Sequence, residues 1–202
     1  MTMTLGAHEV LELHEVLNDA IHGINTLRLY RPHAKDQTLQ TMMDMHMNAL
    51  SMEYNSLVQL MNQQGAGNMM SPRQMARTTQ GFQPTYGLRN PETQTPATSV
   101  EDIDDYDVTS CLINCHKQTA GMKMKAALEM ANPTLRRAIQ LGANASADMA
   151  YEAFQYANQR GFYQIPTLKD TTQSNYMQSY GTMAMPQMTQ MNQMNQPGNM
   201  TM

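Results

Sequence analysis

Cysteine is scarce in this chain: Cys111 and Cys115 are the only two among 202 residues. Two thiols are too few for a disulfide framework or a structural zinc site, so stability has to come from packing. Long apolar runs are missing as well. No stretch reaches the roughly 18 consecutive apolar residues that a membrane helix needs. Met1 to Gly6 leads into Glu-rich sequence without the basic start and apolar centre of a signal peptide, so synthesis and retention inside a cell are expected. Basic residues are outnumbered, 13 Lys and Arg against 17 Asp and Glu, for a formal net charge of -4. Neutralising a phosphate backbone needs a clustered excess of Lys and Arg, so the balance argues against a nucleic-acid binder. A nucleophile elbow, a Gly-rich phosphate loop and a Cys/His zinc cluster are also absent, and Gly65-Ala66-Gly67 matches none of them. Motifs therefore assign no catalytic, cofactor-binding or metal-ligating residue, and no cofactor.

What the chain does have is helical periodicity in four places. Residues 5 to 30 carry Val10, Leu13, Leu17, Ala20, Ile24 and Leu27 at intervals of three and four, one face of a helix that Pro32 then stops. The spacing repeats over 34 to 63 in Leu39, Met43, His46, Leu50, Glu53, Leu57 and Leu60. So short a connection between the two favours an antiparallel hairpin. Ser99 and Asp102, followed by Asp104, Asp105 and Asp107, supply capping oxygens and negative charge for the start of a third helix. Its stripe reads Val108, Leu112, Cys115, Thr119, Met122, Ala126 and Glu129. Asn132-Pro133 ends that helix and opens the next, whose stripe is Leu135, Ala138, Gly142, Ala145, Met149, Ala153 and Tyr156, with Gly161 as its C-terminal cap. Two hairpins make a four-helix bundle, so the expected fold is all-α.

Between and after the hairpins the period disappears. Residues 64 to 98 hold Ser71-Pro72, Gln83-Pro84, Asn90-Pro91 and Thr95-Pro96 and read as an irregular crossover. From about 171 the chain is nearly free of charge and rich in Met, Gln, Asn and Thr, which predicts a disordered tail with a tendency to self-associate. The expected organisation is thus a first hairpin at 5–63, a crossover at 64–98, a second hairpin at 99–166 and a low-complexity tail at 167–202. Tyr176 and Tyr180 give that tail adhesive or cross-linkable groups.

Several polar residues fall where a core would be. His46 and Glu53 lie on the second stripe and Glu129 on the third, which reads either as a degenerate metal site or buried acid and base, or as a hydrogen-bonded layer fixing helix register. Glu129 has a third reading, at the stripe's edge near Arg136. His8, Glu9, Glu12, His14 and Glu15 crowd the start of the first helix, where a solvated, dipole-favoured cluster competes with metal binding. Cys111 and Cys115 point the same way one turn apart, an awkward geometry for a mutual disulfide; they read as small buried hydrophobes or as groups for intermolecular cross-linking. His116 projects to another face.

Read together, Asp105, Leu112, Lys117, Glu129, Asn132-Pro133, Leu135-Arg136 and Gly161-Phe162-Tyr163 resemble the spore coat protein F family. The match spans about a third of the chain, and Leu5 to Glu15 also looks like the first helix of such proteins. Phe162 stands where the family often has Trp. The resemblance implies a ferritin-like bundle and a structural component of the endospore coat, built in the mother cell cytoplasm, partnered by other coat proteins and without enzymatic activity. A ferritin-like bundle also invites a dinuclear metal centre, which takes a Glu-x-x-His from each of two helices. No Glu-x-x-His occurs here, and Asp19-x-x-His22 is the nearest approach. A ferritin-like metal-binding protein or metal-dependent oxidoreductase, and a partner-binding bundle in the sporulating cell, are the competing expectations.

Overall fold

The structure, a computed structural model, describes residues 5–62 and 81–183. It is all-α: α1 spans Ala7–Tyr30, α2 Gln37–Met61, α3 Asp105–Glu129, α4 Pro133–Arg160 and α5 Asp170–Gln178. A single parallel bridge between Tyr86 and Ile165 is the only β pairing among the described residues.

Local chemistry sets most of the helix ends. The Asp36 carboxylate caps α2 by accepting from the Thr38 and Leu39 amides, and Asn132 does the same for Thr134 and Leu135 at the start of α4. Gly161, at φ 79°, takes the left-handed conformation that closes α4. The third helix starts later than Ser99. Ser99 and Asp102 close only a 3-10 turn at Val100–Asp102; Ile103 is then extended, and Asp104 caps α3 through the Tyr106 and Asp107 amides.

Helix α1 packs against α2 and α3, and α4 packs against α3 and α2. Their directions follow from side-chain pairs. His46 meets His116 and Glu53 meets Lys123, so numbers rise together and α2 runs parallel to α3. Glu152 meets His46 while Ser146 meets Lys123, so α4 runs the other way. Asp19 meets Thr119, and Gly23 lies against Cys115, which makes α1 antiparallel to α3. The end of α2 and the start of α3 therefore lie at opposite ends of the packed helices. A 25-residue helix is roughly 37 Å long, and a short turn cannot span that distance. This is the physical reason for a long crossover.

The described part of that crossover, from 81, is tied to the end of α4. Phe82 packs edge-on against Tyr151 and Phe154. Asn158 accepts from the Thr85 amide at 2.8 Å and donates to the Thr85 and Tyr163 carbonyls, each at 3.0 Å. Gly87 donates to the Ile165 carbonyl, and Arg89 to the side chain of Gln164. Residues 63–80 of the expected crossover lie outside the described residues.

The buried faces differ from the expected stripes by one position in several places. On α1, Glu9, Val16 and Gly23 are buried while Val10 is 52% exposed. On α3, Ile113, His116 and Lys123 are buried, whereas Cys115 and Met122 are only partly so. On α4, Ile139, Ala143 and Ser146 are buried and Ala138 and Ala145 partly so. A 3.6-residue period lets two adjacent faces fit the same three-and-four spacing, so most of each stripe is buried as expected while residues at its edge trade places with their neighbours.

Residues 167–202 form a second unit. Its described part, 167–183, contains α5, so disorder is not the state of residues 170–178. All residues of α5 are exposed, Tyr176 is 63% and Tyr180 84% exposed. The remaining tail, 184–202, lies outside the described residues.

Candidate functional site

Two apolar clusters fill the core of the α1–α4 unit. One gathers Ile24 and Leu27 with Leu39 to Leu50, Val108 to Ile113 and Met149 to Ala157. The other gathers Leu13 and Val16 with Leu57, Ala126 to Met130, Leu135 and Ile139. Between them the sequence turns small and polar on every helix: Asp19 and Gly23 on α1, Glu53 on α2, Thr119 and Lys123 on α3, Gly142 and Ser146 on α4. His46, His116 and Glu152 lie at its border with the first cluster. This polar waist is the candidate site.

Its upper half is a chain of three groups. The Nε2 atom of His46 lies 3.0 Å from the Glu152 carboxylate, and its Nδ1 lies 3.0 Å from Nε2 of His116. Both rings have zero exposure and meet edge to face at 4.8 Å between centroids. With both rings neutral, the carboxylate fixes the tautomers. His46 donates to Glu152 from Nε2, so its Nδ1 is an acceptor, and His116 must donate to it from Nε2. The Nδ1 atom of His116 then holds a buried lone pair without a hydrogen-bond partner. Burial, with His46 and Lys123 nearby, holds the His116 pKa well below the usual imidazole range.

Its lower half is built on Lys123, also fully buried. The ammonium donates to Glu53 at 2.8 Å and to the Ser146 hydroxyl at 3.3 Å. The Glu53 side chain is 20% exposed. Gly142 makes room for that carboxylate: a Cβ at this position would clash with Glu53 Oε1 and lie 2.8 Å from its Cδ. On the flank towards α1, Thr119 donates to Asp19 at 2.7 Å.

The sequence-predicted residues are thus only partly brought together. His46 and Glu53 both enter the waist, on one face of α2. Glu129 does not; it is exposed in the last turn of α3, because the stripe continues through Ala126 and Ala127 to Met130. Asp19 bonds Thr119 while its neighbour His22 is exposed. Glu9 leaves the solvated cluster to which its neighbours belong. Its carboxylate accepts from the Gly6 and Asn132 amides, both at 2.7 Å, and these bonds lower its pKa. It thereby joins the start of α1 to the α3–α4 bend. Sequence reasoning missed Lys123, Glu152, Ser146 and the burial of His116. The available signal was the spacing Thr109, Leu112, His116, Thr119, Lys123, Ala126, which has the right period but hides a lysine.

The cysteines are half-buried. Burial raises the Cys111 thiol and, with Cys111 and Asp19 adding negative charge nearby, pushes Cys115 up to about 11. The reactive thiolate is therefore scarce at neutral pH. Among the described residues, no three His, Cys, Asp or Glu converge closely enough to hold a metal ion. The donor set does not fit a dinuclear centre, because the positive charge opposite Glu53 is already supplied by Lys123. What the waist can do is join the hairpins: both its halves take one group from α2, in the first hairpin, and two from α3 and α4, in the second.

Residues 104–166, covering α3, α4 and the closing Gly161-Phe162-Tyr163, match the Coat F domain family. The chain is similar to the Spore coat protein F-like protein YhcQ of Bacillus subtilis (strain 168), with 29% identity over 163 residues that cover 81% of this chain and 74% of that protein. Both findings support the spore coat protein F family. No solved structure matches the chain. Among the described residues no helix is long and apolar enough to cross a membrane.

Proposed function

We propose that this chain is a non-catalytic structural component of the bacterial endospore coat, made in the mother cell cytoplasm and acting by assembly with other coat proteins. Its helical unit reads as a ferritin-like four-helix bundle of two hairpins, 5–63 and 99–166, joined by the crossover at 64–98. The observation that carries this reading is the Coat F domain match falling on α3 and α4. The waist agrees with it in joining α2 to α3 and α4 through side-chain pairs. The tail from 167 supplies exposed tyrosines, Tyr176 and Tyr180, for contacts with neighbours, including other copies of the chain.

A fluorescent fusion followed through sporulation should collect at the forespore surface and remain with the coat fraction of purified spores. A fusion that stays diffuse in the mother cell would instead favour a partner-binding bundle. Removing residues 171–202 should reduce incorporation into the coat, and unchanged incorporation would end the role given to the tail. Metal analysis of the purified full chain should find far less than one ion per chain; about two iron or manganese ions, as a dinuclear centre holds, would favour a ferritin-like oxidoreductase.

A further inference from the structure

The polar waist holds two features that a passive register layer does not need together. His46 is gripped from both sides, by His116 of α3 and Glu152 of α4, so the first hairpin is tied to the second through one imidazole. The far end of that chain, His116 Nδ1, is buried with no acceptor for a proton. The charged groups beside the pair are Glu152 from α4, bonded to His46, and Lys123 from α3; Lys123 in turn meets Glu53 from α2, and Cys115 of α3 lies within the field of Asp19 from α1, Cys111 and Lys123. Of these, Glu53 is engaged by Lys123 and Asp19 by Thr119, leaving Glu152 as the carboxylate bonded to the chain.

We propose that the His116–His46–Glu152 chain is a proton-controlled latch: neutral, it ties the two hairpins together, and protonated, it drives them apart. A proton added to His116 lands on Nδ1, where it finds no acceptor. It also creates a buried cation beside His46 and within the field of the Lys123 ammonium. A buried, unpaired N–H and a desolvated cation near the Lys123 ammonium both disfavour the closed state. Separation of the helices lets water solvate the imidazolium, so the proton binds the open state more tightly than the closed one. By linkage, acid shifts the population towards opening. This inference does not depend on the coat reading.

Cys115 provides a native reporter, because its sulfur lies against Gly23 at the contact between α1 and α3. The test measures labelling of the full chain by a pyridyl disulfide between pH 8 and pH 5, normalised to the rate for the unfolded chain at each pH. The opening constant is expected to rise about tenfold per pH unit below about pH 6, the slope of one extra proton taken up on opening. His116→Leu should abolish that slope. His22→Gln, at an exposed histidine of α1, should leave it unchanged. A His116→Leu protein with the wild-type slope would overturn the latch. Should that variant not fold, the wild type decides by NMR: an imidazole of His116 that titrates near pH 6.5 in the folded chain overturns the proposal, and one still neutral at pH 5 supports it.

Discussion

The apolar ends of the core and its polar waist are held by different physics. At the ends, Leu13, Leu112, Leu135 and Ile139 have almost no exposure and gain by leaving water, an attraction without direction. At the waist, His46, His116, Lys123, Glu53 and Glu152 gain only if each meets its partner, because an unpaired polar group inside a protein is costly. The ends therefore stabilise the packing of these helices without choosing strongly among registers. The waist contributes little net stability but penalises every other register, since a shift of α2 by one residue would separate Glu53 from Lys123 and His46 from both its partners. The difference teaches that the chain separates strength from specificity along one core.

Breaking the waist at its cation gives the largest effect. Lys123→Met strands the Glu53 carboxylate, and denaturant unfolding should show a loss of about 3–5 kcal/mol. If the waist serves specificity, adding Glu53→Leu to that variant should restore most of the loss, and failure to recover would mean that the pair itself carries stability. A cut at the apolar ends, Leu135→Ala, should cost about 2–5 kcal/mol by transfer and cavity formation. Unlike the waist variant, it should not be rescued by a second apolar substitution. Gly142→Ala, which adds only a methyl, should cost about 1–3 kcal/mol because it pushes on Glu53. In Lys123→Met/Glu53→Leu the same change should cost less, since the crowding carboxylate is gone.

The pH dependence separates the two regions further. His116 is held below its unfolded value, so the unfolded chain binds the extra proton. Stability is full above about pH 6.5 and falls as the pH drops below it, by about 1.4 kcal/mol per pH unit. Leu135→Ala should keep that slope, whereas His116→Leu should lose it. The smallest effect lies outside both regions. Arg31 and Asp44 form a two-pronged surface pair, both bonds at 2.8 Å, and Asp44→Asn should change stability by only about 0–1 kcal/mol.

Much of the fold was legible because its signals are local. Pro32, Pro133 and Gly161 act through their own backbone and Asn132 through a side chain that reaches amides two and three residues on, and the ends of α1 and α4 fall beside them. The late start of α3 was not legible, since Ser99-Asp102 and Asp104-Asp107 are both capping boxes and only the extended Ile103 separates them. The site was half legible. His46 and Glu53 stand out as polar residues in an apolar stripe of α2. Lys123 does not, because a lysine in a helix is ordinarily solvated and its burial depends on a carboxylate from 70 positions away. Glu129 misled for the converse reason: it keeps the spacing, but the covered face passes through Ala126 and Ala127 to Met130 and leaves Glu129 outside.

The sequence by itself determined where most of the helices α1–α4 begin and end, that they are amphipathic, and that the second pair carries the family pattern, because caps, breakers and periodicity act over a few residues. Tertiary structure alone decided which residues at the edge of each face go inside, that α2 and α3 run parallel, and which charges meet. Those outcomes depend on desolvation and pairing between helices far apart in the chain, and the energy of a buried lysine or histidine has no value until its partner is in place.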